Sequence, residues 1–158
     1  MSGALSDGEL YEKHADALVR FATGLVGPAD AADVVSATLV RLLGSARWSA
    51  AHDRRAYLFR AVLNEARMHH RSTLRRRVRE LRAAPNEARL DHEPMVDVLA
   101  RVARLSIRQR AVVMLTYWDD LEPASVAELL GIGEGSVRRH LARAHARLRE
   151  ELRDVRDA

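Results

Sequence analysis

The chain has 158 residues and no cysteine, which excludes disulfide bonds, zinc fingers and cysteine nucleophiles. Apolar residues make up 47% of the sequence but aromatic residues only 4%, so we expect an ordered core of Leu, Val and Ala and no large aromatic-lined ligand pocket. The net charge of +4 conceals two basic stretches: residues 41–82 hold twelve bases and three acids, and residues 134–149 hold five arginines and one glutamate.

The N-terminal half carries the apolar periodicity of three helices. Ser6 and Glu9 form a capping-box pattern that begins the first helix, which Gly27 ends. Asp30 can cap the second helix, and Asp53 can cap a long third one. In that third helix, four apolar side chains are expected to face inward and four polar ones outward. The inward set is Ala56, Phe59, Leu63 and Ala66, and the outward set is Arg60, Asn64, Arg67 and Arg71.

Residues 83–94 lack apolar periodicity and contain two prolines, which is typical of an interdomain linker. We therefore predict two small helical domains, at residues 5–82 and 95–153, that can move independently. The fold class is predicted to be all-α, because no stretch alternates apolar and polar residues as a strand does. In the second domain, Ser106 and Gln109 form another capping-box pattern. No apolar run is long enough to cross a membrane and no secretion signal begins the chain, so a cytoplasmic protein is expected.

The last two predicted helices have the spacing of a helix-turn-helix. Ala127 lets the helices cross closely, Gly131 permits a left-handed turn, and Val137 fastens the second helix to the first. With Val137 inward, five residues near the start of the second helix must face solvent, and they are Ser136, Arg138, Arg139, Ala142 and Arg143. Such a helix can enter the major groove, where arginine bonds guanine in a bidentate manner. Both basic stretches favour nucleic acid as the partner, although charged residues also commonly solvate the outside of a packed helix.

Two blocks of the sequence resemble the extracytoplasmic-function (ECF) subfamily of bacterial RNA polymerase sigma factors. Residues 105–115 (LSIRQRAVVML), 118–121 (WDDL) and 126–139 (VAELLGIGEGSVRR) are similar to region four of that family. Residues 30–35 (DAADVV) and 57–67 (YLFRAVLNEAR) are similar to region two. The order and spacing of the blocks agree with the family, with a variable linker between them.

The resemblance implies a promoter-specificity factor that binds core RNA polymerase and promoter DNA, catalyses nothing, and needs no cofactor or metal. Its second helix would dock on the clamp of the polymerase's largest subunit, through Asp30, Asp33, Val34, Ser36, Ala37 and Arg41. The third helix and the loop before it would engage the separated strand of the minus-ten element, through Trp48, Tyr57, Arg60, Asn64, Arg67 and Arg71. The helix-turn-helix would read the minus-thirty-five element as duplex, and region four would bind the flap of the other large subunit. Several positions depart from the family's usual residues and leave the promoter sequence open, namely Ser36, Ala37, Met68, Gly133 and Ala142.

Two other functions fit parts of the pattern. A sigma mimic would sequester an anti-sigma factor and would need no base-reading arginines. A conventional helix-turn-helix regulator would bind an operator as a dimer and would leave region two unexplained. We expect a monomer when free, and the sequence leaves open whether an anti-sigma factor binds it.

Three groups of residues could suggest other chemistry but have simpler explanations. The adjacent His69 and His70 point to different faces of a helix and lack a third metal ligand at useful spacing. The acids of residues 119–122 precede a predicted helix start, where acids cap helices and solvate turns. Trp48 lies in a polar loop, so its exposure is predicted, whereas Tyr57 fits a core position and a DNA-facing one equally well.

Overall fold

The computed structural model describes residues 6–83 and 100–156, so most of the predicted linker and the first residues of the second predicted domain lie outside the described residues. Within these two ranges the chain forms helices and turns and no strand, which confirms the all-α prediction. The helices are α1 Asp7–Val26, α2 Ala31–Leu42, α3 Ala46–Ser49, α4 Arg54–Ala83, α5 Ile107–Tyr117, α6 Pro123–Leu130 and α7 Glu134–Arg156, and residues 100–102 are also helical.

Helices α1 to α4 form the N-terminal bundle, in which α1, α2 and α4 pack against one another. Phe21 of α1 and Phe59 of α4 are both buried, and their ring centroids lie 5.2 Å apart. In α4, Val62 is fully buried, whereas Leu63, which the sequence predicted to face inward, is only half-buried. The reason is that Leu63 lies at the edge of the bundle, where it lines a cleft beside α5 and α6.

Side-chain caps fix where α1 and α4 begin. Glu9 N donates to Ser6 Oγ at 3.3 Å while Ser6 N donates to Glu9 Oε2 at 2.8 Å, so the predicted capping box is confirmed. Ala56 N donates to Asp53 Oδ1 at 2.9 Å and caps α4 in the same way. Asp30 is the N-cap residue of α2, as predicted, but its side chain makes no cap hydrogen bond. Its carboxylate lies 3.1 Å from His69 Nε2 instead, which draws it away from the helix start.

Helices α5 to α7 form the C-terminal unit. Gln109 N donates to Ser106 Oγ at 3.3 Å and Ser106 N donates to Gln109 Oε1 at 3.0 Å, which confirms the second capping box. Gly131 ends α6 in the left-handed conformation, with φ at +67°, and Val137 of α7 is fully buried against the preceding helices. The turn, the crossing and the buried seam of the predicted helix-turn-helix are therefore all formed.

The N-terminal bundle and the C-terminal unit pack directly on each other. Helix α1 contacts α5, and α4 contacts α5 and α6. One cluster of buried residues crosses the contact, with Phe21 and Val62 on one side and Val112 and Val126 on the other. The sequence predicted two units that move independently and did not predict this contact. Local periodicity shows that each unit has an apolar face, but it cannot reveal that the two faces match. The contact leaves the outer face of α7 in solvent.

Candidate nucleic-acid interface

The five residues predicted to enter the major groove share the outer face at the start of α7. All of them are exposed except Ser136, which is half-buried. On the opposite side of the helix, Val137 and Ala144 are completely buried and hold α7 against the C-terminal unit. The structure thus brings the predicted groove-reading side chains together on one open surface.

Two surface interactions engage arginines of this face. Arg138 Nη2 lies 3.0 Å from Glu134 Oε2, and Arg139 Nη2 donates to Ser136 Oγ at 3.1 Å. The Arg138 side chain is still 70% exposed, and an exposed ion pair one helical turn apart contributes only about 0.3–0.5 kcal/mol. A phosphate or a base edge can therefore replace either partner at small cost.

Arg108 and His140 extend this face, and sequence reasoning missed both. Arg108 lies in the first turn of α5 and lines a groove together with His140 of α7. Burial is the main reason that the pKa of His140 lies below its ordinary value, and the charges of Arg108, Arg143 and Arg139 lower it further. These arginines concentrate positive potential where a polyanion would approach. The sequence carried no signal for Arg108, because only the crossing of α5 with α7 brings it here.

Trp48 is buried, with 5% of its surface exposed, so the prediction that it lies free in a loop is wrong. The residues around it form the short helix α3, which turns the indole into the N-terminal bundle beside Leu42 and Leu58. Its ring centroid lies 5.9 Å from that of Tyr57, and the Arg54 guanidinium lies 5.2 Å from the indole centroid. Trp48 therefore supports the half-buried Tyr57 and has no face left on which an unpaired base could stack.

The outward residues of α4 divide between two environments. Asn64 and Arg71 are exposed and Arg67 is half-buried. Asn64 and Arg67 line the cleft between the N-terminal bundle and the C-terminal unit, opposite Ile132. Arg60 crosses that cleft, and its Nη2 donates to the carbonyl of Glu128 at 2.7 Å.

Helix α2 presents a mixed outer surface. Asp33, Ser36 and Arg41 are exposed and Ala37 is half-buried, whereas Val34 is 2% exposed, so a direct contact of Val34 with a partner is ruled out. Val34 was misassigned because it follows the polar Asp33 in the family-like motif, while its own place on the helix faces the core. Sequence reasoning also missed the exposed apolar side chains at the end of α2, which are Val40 and Leu43.

The histidines and acids of the described ranges do not assemble a metal site. In residues 6–83 and 100–156, no three His, Asp or Glu side chains lie close enough together to hold an ion. His69 pairs with Asp30, and Asp119 lies 3.4 Å from Arg20 of α1. No helix in the described part of the chain has the length and apolarity that a bilayer crossing needs.

Comparison with known proteins identifies both units. Residues 10–77 match the family model for Sigma-70 region 2, and residues 95–148 match the model for Sigma-70, region 4. The chain is 36% identical over 159 residues to the RNA polymerase sigma-E factor of Streptomyces coelicolor, covering 96% of this chain and 89% of the relative. It is 34% identical over 163 residues to the ECF RNA polymerase sigma factor SigL of Mycobacterium tuberculosis, covering 92% of this chain and 88% of the relative.

Two solved structures share the fold. The sigma factor RpoE in complex with the anti-sigma factor NepR from Bartonella quintana has a TM-score of 0.63 at 23% identity, covering 92% of this chain and 96% of that chain. CnrH in complex with the cytosolic domain of CnrY has a TM-score of 0.59 at 28% identity, covering 93% and 87%. The chain therefore belongs to the ECF subfamily of sigma-70 factors and is an alternative sigma factor of RNA polymerase that acts in transcription initiation.

Proposed function

We propose that this sigma factor reads a two-part promoter with two separate surfaces, the start of α7 and the outer side of α4, while α2 docks on core RNA polymerase. The observation that carries the proposal is the exposure of Arg138, Arg139 and Arg143 on the second helix of a fully formed helix-turn-helix. A helix held in this way can enter the major groove without rearrangement of the unit that carries it.

The start of α7 reads the upstream, minus-thirty-five element as duplex in this proposal. Arg138 and Arg139 have the length and the fork of donors to bond guanine, and Ala142 is small enough to contact a thymine methyl. Ser136 can bond either a base or a phosphate, and Arg143 lies where it can follow the backbone.

The outer side of α4 engages the opened minus-ten element. Asn64 can bond a base edge, and Arg67 and Arg71 can stack on bases or pair with phosphates. Arg60 joins them once it leaves the carbonyls of α6. Tyr57 is proposed to act at the edge of this surface, and Trp48, being buried, acts by holding Tyr57 in place.

The polar side of α2 is the proposed contact with the clamp of the polymerase's largest subunit. It offers Asp33, Ser36, Ala37 and Arg41, and the exposed Val40 and Leu43 add the apolar area that a stable interface needs. Asp30 stays paired with His69 at the edge of this surface. The C-terminal unit would bind the flap of the second large subunit.

The free protein is proposed to be a cytoplasmic monomer that acts by binding and not by catalysis. The domain bounds are proposed to be residues 5–82 and 95–153. An anti-sigma factor is a further proposed partner, because the solved relative from Bartonella quintana is bound to one.

The test combines core polymerase, the protein and a library of genomic fragments, and maps the transcription starts. We expect specific starts with the wild-type chain and none with core polymerase alone. Arg138→Ala should weaken use of the upstream element by about 1–3 kcal/mol at one base pair and leave core binding unchanged. Arg149→Ala, which removes another exposed arginine further along α7, is the matched control. If no transcription starts are found and the protein does not bind core polymerase, the proposal is wrong and a sigma mimic is favoured. If the protein binds a palindromic operator without polymerase, a conventional regulator is favoured.

A further inference from the structure

We propose that the groove between α4, α5 and α7 binds a nucleoside polyphosphate, with the phosphates against its arginines and the base in the apolar cleft that adjoins it. The groove and the cleft meet at two residues that line both, Arg67 and Arg108. This binding does not depend on the proposed reading of the promoter, and it can be measured on the protein alone.

The groove collects basic side chains from three helices. Helix α4 contributes two arginines and a histidine, the start of α5 contributes an arginine beside its cap, and α7 contributes a histidine. The lining residues are Arg67, His70, Arg71, Ser106, Ile107, Arg108 and His140. No acidic side chain is among them, so within the described residues the groove holds positive charge that its own lining does not offset.

The three arginines of the groove form no ion pair within residues 6–83 and 100–156. Arginines elsewhere in these ranges do find acids: Arg20 lies 3.4 Å from Asp119, and Arg54 lies 3.0 Å from Asp7. Guanidinium groups that line one groove without a counter-ion repel one another, and an anion with several charges removes that repulsion. Linked phosphates suit them best, because the fork of donors on arginine binds phosphate oxygens in pairs.

The two histidines of the groove respond to the same positive charge. Partial burial is the main reason that the pKa of His140 lies below its ordinary value, and three neighbouring arginines lower it further. The pKa of His70 is lowered in the same way, by partial burial and by nearby basic groups. Added positive charge is therefore disfavoured on both sides of the groove, and an anion is favoured.

The adjoining cleft has the lining that a nucleobase needs. Its apolar side chains come from both units and are Leu63, Val112, Leu130 and Ile132. Asn64 lines it as well, and its amide offers a donor and an acceptor to the edge of a base. Apolar walls with a few polar groups are typical of small-molecule sites. A base in this cleft would leave its phosphates beside Arg67 and Arg108, where the cleft opens into the groove.

The shape of the site favours a compact polyanion over duplex DNA. Duplex DNA is read by an element that projects from the protein surface, as the start of α7 does. The arginines of α4 and α5 instead line a depression between three helices, and a small ligand can contact all of its sides at once. Single-stranded DNA carries the same phosphates, so the experiment includes it as a separate ligand.

Isothermal titration calorimetry of the full chain with ATP, inorganic triphosphate and a short single-stranded DNA tests the proposal. We expect ATP to bind at one site and more tightly than triphosphate, because only ATP fills the cleft as well as the groove. Arg108→Ala should weaken the binding of both by about tenfold, since it removes charge-assisted hydrogen bonds to phosphate. Arg149→Ala removes an exposed arginine outside the groove and should bind both as the wild-type chain does.

Changes in the cleft separate the base from the phosphates. Ile132→Ala removes apolar surface from the cleft, so it should weaken ATP binding several-fold and leave triphosphate binding unchanged. Asn64→Ala should act in the same direction, and its exposed position keeps the core intact. Circular dichroism checks that each variant is folded.

Each failure has a distinct meaning. Absence of ATP binding up to millimolar concentration, or equal binding by the wild-type chain and Arg108→Ala, overturns the site. Binding of ATP no tighter than that of triphosphate overturns the placement of the base in the cleft. If only single-stranded DNA binds in a manner that depends on Arg108, the groove serves the DNA backbone and the proposal is wrong. None of these results changes the sigma-factor assignment, which transcription with core polymerase tests separately.

Discussion

Arg110 of α5 donates a hydrogen bond to the backbone carbonyl of Leu25 at the end of α1, with 2.6 Å between Nη1 and the oxygen. The same guanidinium donates to the carbonyls of Leu105 and Ala103 and is only 6% exposed. Burial lowers the pKa of Arg110 from its ordinary value, since a charged group is costly to remove from water. Three donors of one planar group therefore satisfy three carbonyls that would otherwise lack partners, and one of them belongs to the other unit.

Replacing Arg110 should destabilise the whole described fold. In Arg110→Met the three carbonyls lose their donor while the volume stays similar, so we expect the free energy of unfolding to fall by about 2–4 kcal/mol. Urea unfolding followed by circular dichroism measures the change. Arg110→Lys keeps the charge but cannot direct donors to three diverging carbonyls, so its loss should be smaller. An unchanged urea midpoint in Arg110→Met would contradict this role.

Local features of this fold could be predicted from the sequence, because each depends on residues only a few positions apart. The capping boxes at Ser6 and Ser106 and the left-handed turn at Gly131 are of this kind, and all three are present. The exposure of the arginines at the start of α7 could be predicted in the same way. Because Val137 faces the core, the helix places the side chains beside it in the sequence on the solvent side.

Features that depend on distant partners could not be predicted. The packing of the Met114 side chain against Gly24 joins residues far apart in the chain, and neither residue carries a local pattern that points to the other. The same limit applies to Trp48, whose polar neighbours suggested exposure although α3 turns it into the core. It also applies to Arg60, which the sequence predicted to face DNA but which bonds to carbonyls of α6.

The burial of Trp48 predicts a structural and not a DNA-specific phenotype. Trp48→Ala leaves a large cavity between α3 and the bundle, so we expect a loss of about 3–5 kcal/mol in unfolding free energy. Trp48→Phe keeps an aromatic ring beside Tyr57 and should lose less. Thermal unfolding of the variants measures both effects.

Trp118 provides the matched control for that prediction. It is 52% exposed, so Trp118→Ala should change stability by less than about 1 kcal/mol. If Trp48→Ala unfolds at the wild-type temperature yet fails to bind opened DNA, the indole contacts DNA directly and the supporting role assigned to it is wrong.

Three histidines whose pKa lies below its ordinary value predict that the fold loses stability in mild acid. Partial burial lowers the pKa of His70, of His140 and of His14. Nearby charges lower it further, namely Arg110, His69 and Arg77 for His70, and Arg108, Arg143 and Arg139 for His140. For His14, the charges of Arg55 and Lys13 lower the pKa and that of Asp53 raises it. The unfolded chain therefore binds protons on these side chains at a higher pH than the folded chain does. The stability that the neutral histidines contribute is fully present above the pKa of histidine in the unfolded chain, near 6.5, and falls as the pH drops below it.

The measurement is the free energy of unfolding in urea at a series of pH values between about 7 and 5. The lowered pKa of Glu9 acts in the same direction but only at more acidic pH, below the ordinary glutamate range, so it does not obscure this window. The triple change His14→Asn, His70→Asn and His140→Asn should flatten the dependence, because asparagine cannot take up the protons, whereas His52→Asn at an exposed position serves as the control. A free energy that is constant or rises on acidification would show that these histidines are not held in their neutral form by the fold.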